Sequence, residues 1–275
     1  MIAGVVTADP LDVGWAALRA FFREGSAALQ QALEALQRAE VQVRASGDPT
    51  RQTLWLLGMA TALRYTRRPE PMDAALDRAR ELVNLTARTQ GDAAAVPYRT
   101  HVEAIARDLA DVVPAQARAY LDDAIAYSDR TVKLARKVAR DEWLAPALAS
   151  RGDLLVRRSG GDRRAIRRGL VLLEDARRRW PSRDAEGRAQ AGVRYAEALL
   201  AIREPARAEL VAREAMAAFD ARGDRYHAAA AHLVLARALL ALDRNEALDE
   251  QAAAVALYRM LGCRWELKQA EGALA

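Results

Sequence analysis

The sequence predicts an all-α fold, a right-handed α-solenoid of about six antiparallel helical hairpins followed by a C-terminal capping helix. Between turns the 275-residue chain is rich in Ala and Leu, and its apolar residues recur at helical spacing, without the alternation of a strand. Turn signals, most of them with an acidic residue, recur about every forty residues, which is typical of helical repeat arrays. They lie at Gly47-Asp48, Gly91-Asp92, Arg140-Asp141, Arg183-Asp184, Gly223-Asp224 and Gly262-Cys263.

These turns divide the chain into an N-terminal extension, a repeat array and a capping helix. We expect the extension at 1–10, the array at 11–261 and the cap at 262–275. A cap is needed because the last hairpin of such an array would otherwise expose its apolar face. The predicted hairpins span about 11–46, 49–90, 93–139, 141–180, 184–222 and 224–261.

Residues that start and end helices stand at the limits of these hairpins. An Asp side chain can accept hydrogen bonds from the free amides of a first helical turn, whereas Gly readily adopts the left-handed conformation that ends a helix. The predicted N-terminal caps or first-turn acids are Asp48, Asp92, Asp162, Asp184 and Asp224. The predicted C-terminal caps are Gly47, Gly91, Gly223 and Gly262.

Small residues recur where paired helices would have to approach closely. In the first helices of the hairpins these are Gly14, Gly58, Ala106, Gly152, Ala196 and Ala236. In the second helices they are Ala28, Ala75, Ala117, Ala165, Ala208 and Ala247. From each of the latter a stripe continues four and seven residues later, with Gln251 as its polar exception. That spacing places each stripe on one face of a helix.

The pairs Leu57-Gly58, Tyr195-Ala196 and Leu235-Ala236, with the small residues of the last two hairpins, resemble the core of tetratricopeptide repeats (TPR). The longer period is similar to that of repeats in large bacterial transcriptional activators. This resemblance implies a superhelix that binds a protein or peptide partner on its concave side, which the first helices line. It also implies a scaffold or adaptor without enzymatic activity. A ligand-sensing module of transcription regulation is an alternative.

We expect the concave groove to be mixed in charge, with apolar anchors for a peptide at Trp55 and Met59. Two other interpretations stay open, namely that these side chains only solvate the groove or that Trp55 is packed between hairpins. The candidate groove residues are Gln52, Trp55, Met59, Glu103, Arg107, Asp111, Asp153, Arg157, Gln190, Arg194, Glu197 and Arg237.

The chain carries 42 basic and 37 acidic residues, and the excess of positive charge lies in its middle. Between Arg130 and Arg194 there are 18 basic and 8 acidic residues. A cluster of guanidinium groups suits phosphate or an acidic protein, so nucleic acid is an alternative partner, whereas a merely solvated face is the simpler interpretation. The candidate basic patch comprises Arg158, Arg163, Arg164, Arg167, Arg168 and Arg178.

No arrangement typical of catalysis or metal binding is present in the sequence. The three histidines (His101, His227 and His232) lack the spacing of a metal site, and Cys263 has no second cysteine beside it. We therefore predict no catalytic residue, no metal and no cofactor.

The composition indicates a cytoplasmic protein that does not enter a membrane. No apolar run reaches the roughly 18 residues that a transmembrane helix needs. The first ten residues contain Asp9 and lack the basic start of a signal peptide. A single cysteine excludes an internal disulfide, which fits a reducing compartment.

Overall fold

The computed structural model describes residues 8–274. This part of the chain forms thirteen α-helices and no strand. Twelve of them pair into six hairpins: α1 Pro10–Glu24 with α2 Ser26–Ser46, α3 Pro49–Arg64 with α4 Pro69–Gln90, α5 Val96–Val112 with α6 Ala117–Val138, α7 Asp141–Arg158 with α8 Arg163–Arg179, α9 Ala185–Ala201 with α10 Pro205–Asp220, and α11 Arg225–Leu240 with α12 Glu246–Met260. The last helix, α13 Arg264–Glu271, packs against α12.

At its N-terminal end the array begins with Pro10, the first residue of α1. Asp9 caps this helix, because its Oδ1 accepts a hydrogen bond from the backbone N–H of Leu11 at 2.9 Å. Most of the predicted extension, residues 1–7, lies outside the described residues. The described residues contain no helix with the length and apolar character that a membrane crossing requires.

Side-chain caps fix where the helices start. Asp48 accepts from Thr50 N at 2.8 Å, and Asp162, Asp184 and Asp224 cap their helices in the same way. The predicted cap Asp92 instead lies in the turn before α5, whose first turn contains Pro97. Proline is favoured there because a first-turn residue has no intrahelical partner for its N–H. Because Pro97 has no N–H to leave unsatisfied, it suits the first turn of a helix. The helix α5 accordingly begins at Val96, four residues beyond the predicted cap.

The closest approach between paired helices occurs where two glycines face each other. A Cβ on Gly152 in α7 would lie 2.7 Å from the carbonyl oxygen of Gly169 in α8. A Cβ on Gly169 would lie 2.6 Å from the carbonyl oxygen of Gly152. Any larger side chain would therefore push these two helices apart. A similar restriction holds at Gly14, where a Cβ would lie 2.7 Å from Cγ of Leu36 in α2.

The six first helices form a continuous ring. Each of α1, α3, α5, α7 and α9 contacts the next first helix along the chain, and α11 contacts α1. The backbone N–H of Ser26 donates to Leu261 O at 2.7 Å across this closure. Gly25 makes the approach possible, because its φ is +89° and a Cβ there would lie 2.1 Å from that same oxygen. The solenoid thus returns to its own beginning, which the sequence analysis did not predict.

Candidate functional site: a chamber inside the ring

Five of the six first helices (α3, α5, α7, α9 and α11), together with residues of α10, α12 and α13, line a partly open chamber of about 440 Å³. Its wall carries six arginines and four carboxylates, so the lining has an excess of two positive charges. Aromatic side chains from α3, α10, α11, α12 and α13 cover another part of the wall. The chamber therefore combines a charged side and an aromatic side in a volume suited to a small ligand or the end of a chain.

Asp108 of α5 is the centre of one buried ionic cluster. Its side chain accepts hydrogen bonds from Arg64 Nε at 2.7 Å and from Arg107 Nη2 at 2.6 Å. Arg67 Nη1 lies 2.7 Å from Asp108 Oδ2, an ion pair whose N–H is not aimed well enough for a hydrogen bond. Burial alone would raise the pKa of the Asp108 carboxyl, but Arg107, Arg64 and Arg67 hold it well below its usual range.

Asp153 of α7 is the centre of a second cluster. It accepts hydrogen bonds from Arg107 Nη1 at 3.0 Å and from Arg157 Nε at 3.1 Å. Burial opposes the ionisation of Asp153, yet the neighbouring guanidinium groups still lower the pKa of its carboxyl. Arg157 also donates to both carboxylate oxygens of Asp111, at 2.9 and 3.0 Å. Arg107 thus connects the two clusters across α5 and α7.

Arg194 of α9 is less well paired than these arginines. Its Nε lies 3.9 Å from Asp153 Oδ2, beyond hydrogen-bond distance, and its side chain is 22% exposed. Burial and the charge of Arg107 lower the pKa of Arg194 to about 10. The group stays charged at neutral pH, and its positive charge is not matched by a carboxylate in contact with it.

The aromatic side of the chamber lies where the ring closes. Arg67 stacks over the ring of Trp265 at 5.2 Å and donates from Nε to Glu266 at 2.8 Å. Tyr226 of α11 donates to the same carboxylate at 2.7 Å. Phe22 of α1 stacks on His227 of α11, with ring centroids 5.2 Å apart. One cluster thus joins α1, the end of α3, α11 and α13.

Comparison with solved structures places this arrangement among helical repeat proteins. BtubC (BKLC) from P. vanneervenii superposes with a TM-score of 0.54 at 13% identity, over 86% of this chain and 92% of that chain. A Rap protein complexed with competence and sporulation factor superposes with a TM-score of 0.51 at 13% identity, over 95% of this chain and 78% of that chain. No family model and no curated protein matches the sequence.

This chain has a tetratricopeptide-like helical repeat fold. The predicted fold class is therefore confirmed. In a tetratricopeptide-like array the first helices of the hairpins line the concave side, and here five of the six, all except α1, contribute to the chamber wall.

The structure brings most of the predicted groove residues of this tetratricopeptide-like array together around the chamber. Asp153 lies directly behind the wall, bonded to two arginines of the lining. The predicted residues on the wall itself are Arg107, Asp111, Arg157, Gln190, Arg194, Glu197 and Arg237.

Four predicted groove residues lie elsewhere, which corrects the sequence-based assignment. Trp55 is 1% exposed and donates from Nε1 to Leu36 O at 2.8 Å, and Met59 is 5% exposed in the same core. The middle of α3 faces α2, so neither residue can anchor a peptide. Glu103 is fully buried against α6, where Thr131 Oγ1 donates to it at 2.5 Å. Gln52 lines a separate, small depression beside Trp55.

Sequence reasoning missed several residues of the chamber. A usable signal was present, because oppositely charged partners lie about one repeat apart. Arg64 and Asp108 are 44 residues apart, and Arg107 and Asp153 are 46 apart. The missed members are Arg64, Tyr65, Arg67, Asp108, Tyr226, His227, Trp265 and Glu266.

The predicted basic patch lies on α8, one of the outer helices of the tetratricopeptide-like ring. Within the described residues, Arg163, Arg164, Arg167 and Arg168 are exposed and form no ion pair. Arg158 differs from them because it contacts both oxygens of Asp122, at 2.5 and 3.2 Å. The other member, Arg178, lies 3.9 Å from Asp175. Four members of the predicted patch are therefore exposed and without an ion pair in the described part of the chain, whereas Arg158 and Arg178 lie near carboxylates.

Proposed function

We propose that this protein is a non-enzymatic binding module that takes a segment of a protein or peptide partner into the chamber. The observation that carries the proposal is the partly open chamber of about 440 Å³ with both charged and aromatic walls. Pockets of roughly 300–1,000 Å³ can bury most of the surface of a bound ligand. The shared fold adds support, since a structural neighbour, the Rap protein, was solved in complex with competence and sporulation factor.

The groups that could have carried chemistry are engaged in other contacts. Burial raises the pKa of the Cys263 thiol to about 12, so the reactive thiolate is scarce at neutral pH. His227 Nδ1 lies 2.7 Å from Asp224 and His232 Nδ1 lies 2.5 Å from Glu250. Neither histidine has a nucleophilic side chain as its partner. These contacts favour a binding function over catalysis.

A variant that fills the chamber tests this proposal. Ala230 lines the chamber, so Ala230→Phe should occupy part of its volume. Ala217 lies on the exposed face of α10, so Ala217→Phe adds the same side chain outside. Peptides selected from a random display library on the purified protein should bind Ala230→Phe about tenfold or more weakly, as measured by calorimetry. Ala217→Phe should bind them like the unaltered protein.

Two results would contradict the proposal. One is the selection of no peptide at all, and the other is equal affinity for the unaltered protein and Ala230→Phe. Circular dichroism on both variants shows whether the helical fold is kept.

The second candidate function is a ligand-sensing module. The chamber volume favours it, because it lies toward the lower end of the range for small-molecule pockets. A thermal-shift screen against a set of metabolites should then find a compound that raises the melting temperature, and Ala230→Phe should remove the shift. A shift that persists in Ala230→Phe would place the ligand elsewhere.

The third candidate function is binding of nucleic acid or an acidic protein at the outer patch. The four exposed, unpaired arginines of α8 favour it. Since such binding would use the opposite side of the wall from the chamber, Ala230→Phe should leave it unchanged.

A further inference from the structure

We propose that the occupant of the chamber is an organic carboxylate, whose anionic group pairs with Arg194 and whose apolar body lies against the aromatic wall. This inference rests on the proposed function, since it takes the chamber as the binding site and names the chemistry of what enters it. The carboxylate can belong to a free acid or to the C-terminus of a peptide, and the two sources present the same group.

Most arginines of the chamber wall are already neutralised by a carboxylate. Arg64 donates to Asp108 at 2.7 Å, and Arg107 donates to it at 2.6 and 2.8 Å. Arg157 donates to Asp111 at 2.9 Å. Arg194 has no such partner, because Asp153 lies 3.9 Å away and already accepts from two other arginines. A guanidinium in this state offers its N–H groups to a ligand.

Arg237, on the neighbouring helix α11, is a second arginine of the wall without a close carboxylate. It lines the same chamber, is exposed, and forms no ion pair within the described residues. Arg194 and Arg237 are thus the two arginines of the wall that, in the part of the chain that the structure describes, have no carboxylate within hydrogen-bond distance. Arg194 lies deeper, so we assign it the direct contact and assign Arg237 a supporting role at the entrance.

Among the described residues, the charge of Arg194 has no carboxylate within hydrogen-bond distance, since Asp153 lies 3.9 Å away. In agreement with this geometry, burial and the nearby charge of Arg107 lower the pKa of its guanidinium to about 10. An anion that enters the chamber would compensate this charge, and solvent screens the attraction less than at the surface because the Arg194 side chain is only 22% exposed. Ligand binding at this position therefore gains more than a surface ion pair would.

The other groups on the chamber wall favour an organic carboxylate over phosphate. Asp111 and Glu197 also line the wall, and they would repel a doubly charged group more than a single charge. Aromatic side chains occupy the other side of the chamber, among them Phe219, His227 and Trp265. Phe219 is fully buried behind His227, with ring centroids 5.4 Å apart, so the aromatic faces that a ligand can reach are those of His227 and Trp265. Such a surface matches an aromatic or aliphatic ligand body.

The test uses a matched pair of small probes on the full chain. Calorimetry and thermal shift with 3-phenylpropionate and its neutral amide, 3-phenylpropionamide, separate the anionic group from the apolar body. We expect the carboxylate to bind and to raise the melting temperature by several degrees, and the amide to bind at least about tenfold more weakly. Inorganic phosphate serves as the third probe and should give no shift.

Variants on one helix assign the contact. Arg194→Gln should weaken carboxylate binding about tenfold or more, because it removes the charge and the paired N–H groups. Arg194→Lys keeps the positive charge but lacks the paired N–H groups of a guanidinium. Its affinity for the carboxylate should therefore lie between those of the unaltered protein and Arg194→Gln. Arg188→Gln is the control, since Arg188 is exposed on the same helix α9 and does not line the chamber. A peptide that ends in Phe, compared with its amidated form, distinguishes a chain end from a free acid.

Several outcomes overturn the inference. They are equal binding of acid and amide, unchanged binding in a folded Arg194→Gln protein, a response to phosphate instead of the organic acid, and no response to any carboxylate. If library peptides bind in the chamber but amidation and Arg194→Gln have no effect, the inference fails while the proposed function stands. If Ala230→Phe has no effect on any ligand, the proposed function itself fails.

Discussion

Arginines on the inside of the ring and arginines on the outer face of α8 have opposite surroundings. Inside, Arg64 and Arg107 are held by the buried carboxylate of Asp108. Outside, Arg163 and Arg167 project into solvent without an ion pair among the described residues. The inner arginines are parts of the architecture, because an unpaired charge is costly away from water. The outer arginines carry no such constraint.

The local excess of positive charge in the sequence therefore comes from two groups of arginines with different surroundings. Arg157 and Arg194 belong to the chamber, whereas Arg164 and Arg168 lie on the outer face. A count of charges along the chain merges these two groups. Only the path of the helices separates the residues that stabilise the ring from those that are free to meet a partner.

The largest expected effect comes from the carboxylate that holds three inner arginines. Asp108→Asn keeps the shape of the side chain but leaves Arg64, Arg67 and Arg107 without their shared negative charge. We expect a loss of about 3–5 kcal/mol in the free energy of unfolding, because buried charges then lack compensation. Urea denaturation followed by circular dichroism measures it.

The control is the outer counterpart, Asp122→Asn. It removes the exposed partner of Arg158 and should leave the urea midpoint close to that of the unaltered protein. Equal midpoints for Asp108→Asn and Asp122→Asn would contradict the distinction between the two regions.

The second prediction concerns the closure of the ring. Arg67 has φ +53°, which is uncommon for a residue with a side chain, and it links α3 to α5 and α13. Arg67→Gln should cost about 2–4 kcal/mol, since Asp108 and Glu266 lose a buried partner. The loss of stability should be local, so backbone amide hydrogen exchange should accelerate most at the start of α11 and in α13. Uniform acceleration through all six hairpins would argue against a role in closure.

The third prediction concerns a buried carboxyl that no inner arginine neutralises well. Burial raises the pKa of Glu103 to about 7, despite hydrogen bonds that favour its ionised form. Because its folded-state pKa lies above the ordinary value of 4.5, the stability linked to its proton is present below pH 4.5 and is lost as pH rises through 7. A shift of this size corresponds to about 3 kcal/mol at alkaline pH.

Glu103→Gln keeps the size of the side chain and has no proton to lose. Its melting temperature should exceed that of the unaltered protein by a larger margin at pH 8 than at pH 5. Comparison of the two proteins removes the contribution of other groups, such as His101, whose pKa burial lowers to about 4. A gap that stays constant between pH 5 and pH 8 would show that Glu103 is ionised throughout.

The smallest effect on stability is expected on the outer face of α8. Arg163, Arg167 and Arg168 changed together to Gln should leave the urea midpoint unchanged, because these side chains hold no partner. If the patch binds nucleic acid, the unaltered protein should bind duplex DNA in fluorescence anisotropy with an affinity that falls steeply between about 50 and 200 mM salt. The triple variant should lose this binding. Absence of binding by the unaltered protein at low salt would remove this candidate function.

The hairpins were predictable because their signals are local. Asp48 and Gly47 act through the amides and carbonyls next to them, so a few letters of sequence are sufficient to place a helix end. The facing glycines, Gly152 and Gly169, were predictable for a similar reason, since each interrupts an apolar stripe of its own helix. The predicted start of α5 was wrong, because the helix begins at Val96, with Pro97 in its first turn, and not at the predicted cap Asp92.

The chamber was only partly predictable. Helical register predicts that Arg107, Arg157 and Arg194 lie on the concave face of the first helices. In the structure all three line the chamber. Trp55 shares that general register but faces α2, because a large apolar side chain gains more from burial than from a solvated wall. Partners such as Arg64 and Asp108 are one repeat apart, and a search for residues at that separation would have found them.

By itself, the sequence determined the all-α class, the six hairpins and the small residues at their crossings, since caps, turns and stripes act over one or two helical turns. The tertiary structure decided that the array closes. That outcome depends on the sum of small rotations between successive hairpins, and on Gly25 meeting Leu261 across most of the chain. Closure turns a predicted open groove into a chamber. It also decides which arginines are neutralised and which remain free for a ligand.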